Sequence, residues 1–474
     1  MALVSALALP HTSDAAQAPK GFFGVHPLRP ADGDYPRMAG ADVGIIRTGF
    51  VFAATAPPSP LPDGWSGYDW TKFDEIVKGA AEQGIDVLPV LLGAPGYPAK
   101  GSTPLDSPAS TNAWKRYLKA LVGRYGPGGD FWADPATDGI PDDPIDDWQV
   151  WNEPNSFNNW THPNPKQYGK LLALSAKAIH SEDPAADVVS AGVISQPVNR
   201  RADDGDVYLK KMLRSKSAAK AADTIAIHPY TGTVKEVKKQ IKLTREVLDK
   251  AKLKRTPIWV TEIGWGEGRS RNPLIVPASK QRKNLRESFR MMLKERRKLK
   301  IGKAVWYQWQ DSPDTVCGWC STAGLLNKHG SDKKLLDEFA AIIRVVVAIA
   351  VVLVLLIAFN STAINADERA REYATMFAYG LPVRTVVRLA VTESMIIGLL
   401  ATALGIGLGV LILGWVINVS IEEVLPELGI IGSLSVGTVA LAALAGVGAM
   451  ALAPVLTIRR LRRMDVPSTL RVVE

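Results

Sequence analysis

The sequence predicts an α/β fold, a (β/α)8 TIM barrel, followed by an all-α domain of three membrane spans. Three observations predict it. Short apolar runs alternate with helix-period segments eight times between residue 21 and about residue 340. Two of those runs end in a glutamate followed at once by turn-forming Pro, Asn or Gly, where a barrel of this kind places its chemistry. The composition then breaks near residue 340: lysine stops at Lys334, tryptophan after Trp319 recurs once, at Trp415, and Val, Leu, Ile, Ala and Gly take over.

The eight strand-like runs are residues 21–26, 43–50, 87–92, 148–151, 188–194, 224–228, 258–261 and 304–309. Helix-like segments at 70–83, 111–124, 165–180, 234–251 and 278–299 fall between them. Eight such repeats over this length fit one barrel with loop insertions. A doubly wound open sheet is the alternative, disfavoured because no Gly-rich phosphate loop follows the first run.

The tail contains three span candidates. Residues 345–359 are all apolar, 386–419 contain a long apolar run interrupted near its start by Glu393, and 430–458 carry no charge. Arg369, Arg371 and Arg384 lie between the first and second candidates, Arg388 stands at the start of the second, and Arg459, Arg460, Arg462 and Arg463 follow the third. The loop between the second and third holds Glu422, Glu423 and Glu427 and no Lys or Arg. By the positive-inside rule the Arg-rich loop and C-terminus are cytoplasmic, and everything before the first span is outside. The expected domains are 1–18, a signal peptide or a truncated start, then 19–340, the barrel, and 341–474, the transmembrane part. The apolar residues 2–9 and the Ala16-Gln17-Ala18 triplet fit export, but no Lys or Arg precedes them.

The net charge of +9 sits mostly in the first part, with Lys and Arg spread along helical segments. That reads as a solvated surface, and without a zinc finger or RNA-binding signature no nucleic-acid partner is expected. Two cysteines, Cys317 and Cys320, cannot close a four-ligand zinc site, and a small loop disulfide is the preferred reading. No cofactor or metal is expected.

The chemistry rests on Trp151-Asn152-Glu153-Pro154-Asn155 and on the segment from Trp259 to Trp265 that contains Thr261-Glu262. Two carboxyls at one barrel mouth are what glycoside hydrolysis needs, one as acid and one as nucleophile or base. One must be kept protonated near neutral pH by burial or a charged neighbour, and the other kept ionised, which a nearby Arg47 favours.

These residues carry a resemblance. Residues 21 to about 340 resemble a retaining glycoside hydrolase of clan A, with families 39 and 5 nearest. Asn152-Glu153-Pro154 is similar to the clan's Asn-Glu-Pro, which implies Glu153 as acid/base and Asn152 as donor to the sugar 2-hydroxyl. Thr261-Glu262 with Gly264-Trp265 resembles the nucleophile strand, implying Glu262. His228-Pro229-Tyr230 resembles the pair that orients the nucleophile, Arg47 the arginine beneath it, and Trp306 or Trp309 the sugar-stacking tryptophan. Trp65, Trp70, Trp132, Trp160, Trp265 and Trp319 are further platform candidates, most of them better explained by packing; Asp63, Asn155 and Asp311 are weaker cleft candidates. The tail from Asn365 to Gly380, then Val383-Arg384-Thr385, resembles the C-terminal domain of FtsX- and MacB-type permeases, which implies a cytoplasmic ABC ATPase partner at the segment after the first span.

Two functions follow. One is a membrane-anchored retaining O-glycoside hydrolase, multi-pass in the cell membrane, acting outside the cytoplasm on a glycoside, oligosaccharide or polysaccharide. The other is an ABC-type permease subunit whose barrel senses sugar or is vestigial.

Overall fold

In the computed structural model the described residues are 18–19, 21–56, 66–94, 102–196, 202–312, 318–342, 370–382 and scattered positions between 384 and 407. The chain divides into two compact units, Met1–Ile343 and Arg344–Glu474.

The first unit is a parallel α/β sheet with helices on its outside. Its strands are β1 (Phe23–Val25), β2 (Ile45–Val51), β3 (Asp86–Leu92), β4 (Asp147–Val150), β5 (Asp187–Val189), β6 (Val193–Ile194), β7 (Ile225–His228), β8 (Ile258–Ile263) and, after a two-stranded flap of β9 (Gly266–Glu267) and β10 (Ile275–Val276), β11 (Ile301–Trp306). The sheet order is β5-β4-β3-β2-β1-β11-β8-β7-β6, with every pairing parallel. Its two edge pieces are consecutive in the chain, joined by residues 190–192. β5 pairs with β4, β6 pairs with β7, and Val189 also bridges to Thr224. The fifth apolar run, expected as one strand, is thus two half-strands facing different neighbours. The break lies at Ser190-Ala191-Gly192, where Tyr168 Oη accepts the Ala191 amide that a continuous strand would give to a neighbour.

Helices cover the outside: α1 (Asp34–Gly40), α2 (Thr71–Ala81), α3 (Pro108–Tyr125), α4 (Pro165–Ile179), α5 (Gly205–Met212), α6 (Lys216–Ala221), α7 (Val234–Lys250) and α8 (Ala278–Leu299). Their starts follow from capping chemistry. Ser107, Asn164, Ser215 and Thr233 each accept a backbone N–H of the first turn, and Pro occupies that turn in α3 and α4. Their inner faces bury Leu118, Leu121, Leu171, Ile241 and Phe289 against outward-facing strand residues such as Phe23, Val150 and Val260.

Inside the sheet the strand alternation stacks a second, smaller core of Ile45, Leu88, Val189, Ala226 and Trp259. Below this plug, at the strand starts, Lys303 bonds Asp147 at 2.9 Å, reaches Asp86 at 3.7 Å and lies 4.6 Å from the centre of the Trp259 ring. Above it, two residues further along β2, Arg47 begins a polar layer. The plug closes the bottom, so the polar groups are available only at the C-terminal ends of the strands.

In the second unit the described helix is α9 (Ala370–Ala378). It ends on a glycine: Gly380 has φ +83°, its amide donates to Phe377 O, and Leu381 donates to Met376 O. These two bonds form a Schellman stop. Among the described residues no helix is long and apolar enough to cross a membrane. The expected spans at 345–359 and 430–458, most of 386–419, and nearly all of the expected signal segment at 1–18 lie outside the described residues.

Candidate active site

Arg47 is the centre of the polar layer. It is 1% exposed, and each arm of its guanidinium is committed. Nε donates to Gln149 Oε1 at 2.6 Å, Nη1 to Glu262 Oε1 at 2.5 Å, and Nη2 to Asn152 Oδ1 at 2.7 Å. The fork of donors therefore ties β2, β4, β8 and the turn after β4 into one unit. Tyr230 Oη donates to the other oxygen of Glu262.

Glu153 is held on the facing side. Its Oε1 lies 2.7 Å from His228 Nδ1, and its Oε2 accepts from Asn159 Nδ2 at 3.2 Å. His228 Nε2 lies 3.1 Å from Thr261 Oγ1, which also takes a 3.3 Å contact from Gln149 Nε2. His228 packs against the bare Cα of Gly192: a Cβ there would sit 2.0 Å from Nε2. An oxygen of Glu153, an oxygen of Glu262 and a ring nitrogen of His228 all lie within 4.8 Å of one another.

The turn that carries Glu153 is strained. Trp151 and Glu153 have φ of +73° and +44°, uncommon for residues with a side chain. The conformation persists because its surroundings fix it: Trp151 N bonds Leu91 O, Trp151 Nε1 bonds Asn159 O, and Glu153 N bonds Gly192 O. Such strain costs about 1–3 kcal/mol per residue and clusters at functional sites.

The environments push the two carboxyls apart. Burial raises Glu153, outweighing the opposing pull of His228. Burial acts on Glu262 in the same direction, but the charges of His228 and Arg47 and the Tyr230 hydrogen bond overcome it and hold Glu262 down to about 2. A carboxyl inclined to keep its proton beside one that loses it readily is the pairing that acid/base chemistry requires. His26, stacked on Tyr307 with ring centres 5.0 Å apart, is lowered to about 4 by burial and by Arg47, so it is neutral near pH 7. Glu153, His228 and Glu262 offer three ligand atoms to a cation. Those atoms already face protein partners, and the Arg47 cation occupies the place a metal would neutralise, so the set fits proton transfer better than a metal cage.

The pair opens into a cavity of about 1040 Å³, the size of a site for a ligand of several rings. His26, Arg47, Asn152, Glu153, Tyr230 and Glu262 line it, together with Asn159, Tyr307 and Trp319. Six of the eight expected site residues, Arg47, Asn152, Glu153, His228, Tyr230 and Glu262, therefore come together. Trp306 and Trp309 do not line the cavity. Trp306 is fully buried toward the helices, beside Phe289 and Trp265, with Nε1 donating to Ala323 O at 2.9 Å. Trp309 is 1% exposed. The aromatic wall is instead Tyr307, Trp319 and Tyr230, whose ring lies 4.8 Å from Trp319 in an edge-on arrangement.

Of the weaker candidates, Asn155 is a structural clamp bonded to Ile194 and Asp203 backbone, Asp311 pairs with Lys333, and Trp160 and Trp265 are core. Asp63 and Trp65 lie outside the described residues. The sequence pattern does not single out His26 or Tyr307 as site residues, although each follows the C-terminal end of a strand, β1 and β11, the position that marks such residues.

Two family models match the chain. Residues 150–339 match the glycosyl hydrolase catalytic core, and residues 344–466 match the FtsX-like permease C-terminal domain. The hydrolase match spans Glu153, His228, Tyr230 and Glu262, and the structural neighbours are glycosidases. A glucosidase from Croceicoccus marinus superposes with TM-score 0.53 at 15% identity, over 69% of this chain and 67% of that one. A GH39 enzyme from Xanthomonas axonopodis pv. citri gives 0.49 at 17% over 68% and 66%, and a family 39 glycoside hydrolase from Bacteroides cellulosilyticus WH2 gives 0.46 at 20% over 68% and 62%. At these identities the likeness is one of fold. No curated protein sequence matches the chain. Cys320 is disulfide-bonded, and Cys317, the one other cysteine of the sequence, lies outside the described residues.

Proposed function

We propose that residues 19–340 form a closed (β/α)8 barrel that hydrolyses O-glycosides with retention of configuration. The observation that carries this reading is the Glu153–Glu262 pair: a half-buried and a buried carboxyl with oxygens within 4.8 Å of each other and ionisation pushed in opposite directions. So small a gap favours direct attack by a carboxylate over an interposed water, which needs a wider separation.

In the first step the ionised Glu262 attacks the anomeric carbon while Glu153 gives its proton to the departing glycosidic oxygen. A glycosyl ester forms on Glu262 and the aglycone leaves with that proton. In the second step water attacks the same carbon, Glu153 takes the water's proton, and the ester bond returns its electrons to Glu262. Arg47 and Tyr230 hold Glu262 for in-line attack and stabilise it as leaving group. Arg47 also fixes the amide oxygen of Asn152, leaving its amide nitrogen as donor to the sugar 2-hydroxyl. Tyr307 and Trp319 supply apolar ring faces for the sugar.

The second unit, through its FtsX-like match, associates the protein with the membrane. The Arg distribution favours the barrel outside and α9 inside, where an ABC ATPase would meet it. The catalytic assignment is tested by chemical rescue on aryl glycosides. Glu262→Ala abolishes turnover, and azide restores it with an inverted glycosyl azide product. Glu153→Ala is rescued by azide with the configuration kept and still cleaves leaving groups that need no proton. Near wild-type hydrolysis of an alkyl glycoside by either variant overturns the assignment.

A further inference from the structure

Residues 234–300 hold 21 Lys and Arg against 7 Asp and Glu, a net of +14 in a chain whose total is +9. In sequence these charges are spread out; in the fold they are brought together. α7 and α8 are neighbours on the outside of the sheet, joined by the Lys238–Glu295 ion pair at 2.5 Å. Their outer faces expose Lys235, Lys239, Lys242 and Lys250 on α7 and Lys280, Lys283, Arg290, Lys294, Arg297 and Lys298 on α8. The two acids of α8 are both engaged locally, Glu295 by Lys238 and Glu287 by Lys283 at 3.8 Å. An acidic loop lies elsewhere: residues 126–147, which lead into β4, hold 7 Asp and no Lys or Arg, and β4 stands four strands away from β11, the strand that α8 feeds.

We propose that the α7–α8 face docks on an anionic lipid surface. Charge complementarity sets the sign of the partner, and the FtsX-like match beginning at residue 344, one residue after the first unit ends, puts a bilayer within reach. A short tether makes docking intramolecular, so weak contacts suffice. The side chains of the face separate lipid from nucleic acid. Neither helix exposes an aromatic ring on which a base could stack: α7 has none, and Phe289 of α8 is buried. None of the described large apolar side chains that are exposed lies on α7 or α8, so the contact is electrostatic, without insertion. Docking through this flank lays the strands along the membrane and leaves the cavity at their C-terminal ends uncovered.

The proposal does not rest on the glycosidase reading. Its test uses the full-length protein in lipid nanodiscs, made either of phosphatidylcholine alone or with a fraction of phosphatidylglycerol. A fluorophore is placed on Lys242→Cys or, in the acidic loop, Asp138→Cys, with an energy-transfer acceptor on the lipid headgroups. Phosphatidylglycerol should raise transfer at position 242 and lower it at position 138. The gain should vanish at high salt, where screening shortens to a few ångströms. It should also vanish in the variant K239E/K242C/R290E/K294E, whose fold is checked by circular dichroism and whose label still sits at 242. Equal transfer in the two lipid mixtures overturns the proposal. So does displacement of the face from phosphatidylglycerol by a DNA duplex at charge concentrations below that of the lipid, which would make the face a nucleic-acid site.

Discussion

At the residue scale, Arg47 decides how the two glutamates differ. Its guanidinium is almost wholly buried and bonds Glu262 directly. Arg47→Met removes the cation and leaves Glu262 buried without its main counter-charge. Breaking a buried pair this way costs about 3–5 kcal/mol of stability, read as a lowered Tm. Glu262 also rises from about 2, so the acid limb of the pH–rate profile moves up. Under the proposed mechanism the unaltered protein needs Glu262 ionised and Glu153 protonated. The rate should therefore rise as pH passes upward through Glu262 and fall as it passes through the raised Glu153. Stability carries the opposite signature for the two groups. The depressed Glu262 contributes stabilisation that is complete above the ordinary carboxylate range and is lost as pH falls toward about 2. The raised Glu153 favours the fold at low pH, and that contribution is lost as pH rises through its elevated value. Acid unfolding followed in wild type and in Glu262→Gln separates them, since the variant should lose the steep acid dependence. Gly192→Ala is the steric counterpart. With a Cβ 2.0 Å from His228 Nε2 the ring must move, costing about 1–3 kcal/mol and uncoupling His228 from Glu153. Wild-type activity in that variant would show that the His228–Glu153 contact is dispensable.

At the element scale the helices are set by local chemistry and the strand ends are not. Ser107 caps α3 and Asn164 caps α4 through direct bonds to first-turn amides. Ser107→Ala and Asn164→Ala should each cost about 1 kcal/mol, measured as a shift in denaturation midpoint with activity unchanged. Such caps mark the starts of α3, α4 and α7 in the sequence to within a few residues, while α8, which has no side-chain cap, is legible from its helical period alone. Strand parity was harder. Trp306 and Trp309 stand at the end of the last apolar run, but which of Trp306 and Tyr307 faces inward depends on the register of β11 against β8. That register slips by one residue at Ala304 and returns at Trp306, and one step of parity reverses every side chain. Trp306 faces the helices and Tyr307 lines the cavity. The broken fifth strand is equally hard to read, since which neighbour each half pairs with is a long-range property that no local pattern announces. The glutamates were readable because each combines an apolar strand end with a turn and a charge, a conflict that function explains better than packing does.

At the scale of the whole molecule, two compact units meet at Ile343–Arg344, and the two family matches end and begin at residues 339 and 344, with no overlap. Every residue assigned to the cavity lies in the first unit, as do both halves of the Glu153–Glu262 pair. Its core and polar network close on themselves: α8 packs on β11, and Phe339 and Ile342 complete the same apolar cluster as Phe289. A chain ending at residue 343 should consequently fold by itself, remain in the supernatant, and cleave aryl glycosides at a rate close to that of the full protein. The full chain, by contrast, should stay in the membrane fraction through a high-salt wash, because salt screens surface charge but does not release apolar spans from lipid. Fractionation, circular dichroism and a rate measurement on the two chains decide the point. A folded but inactive fragment would mean that the second unit completes the site, and an active fragment beside a salt-extractable full chain would remove the anchor.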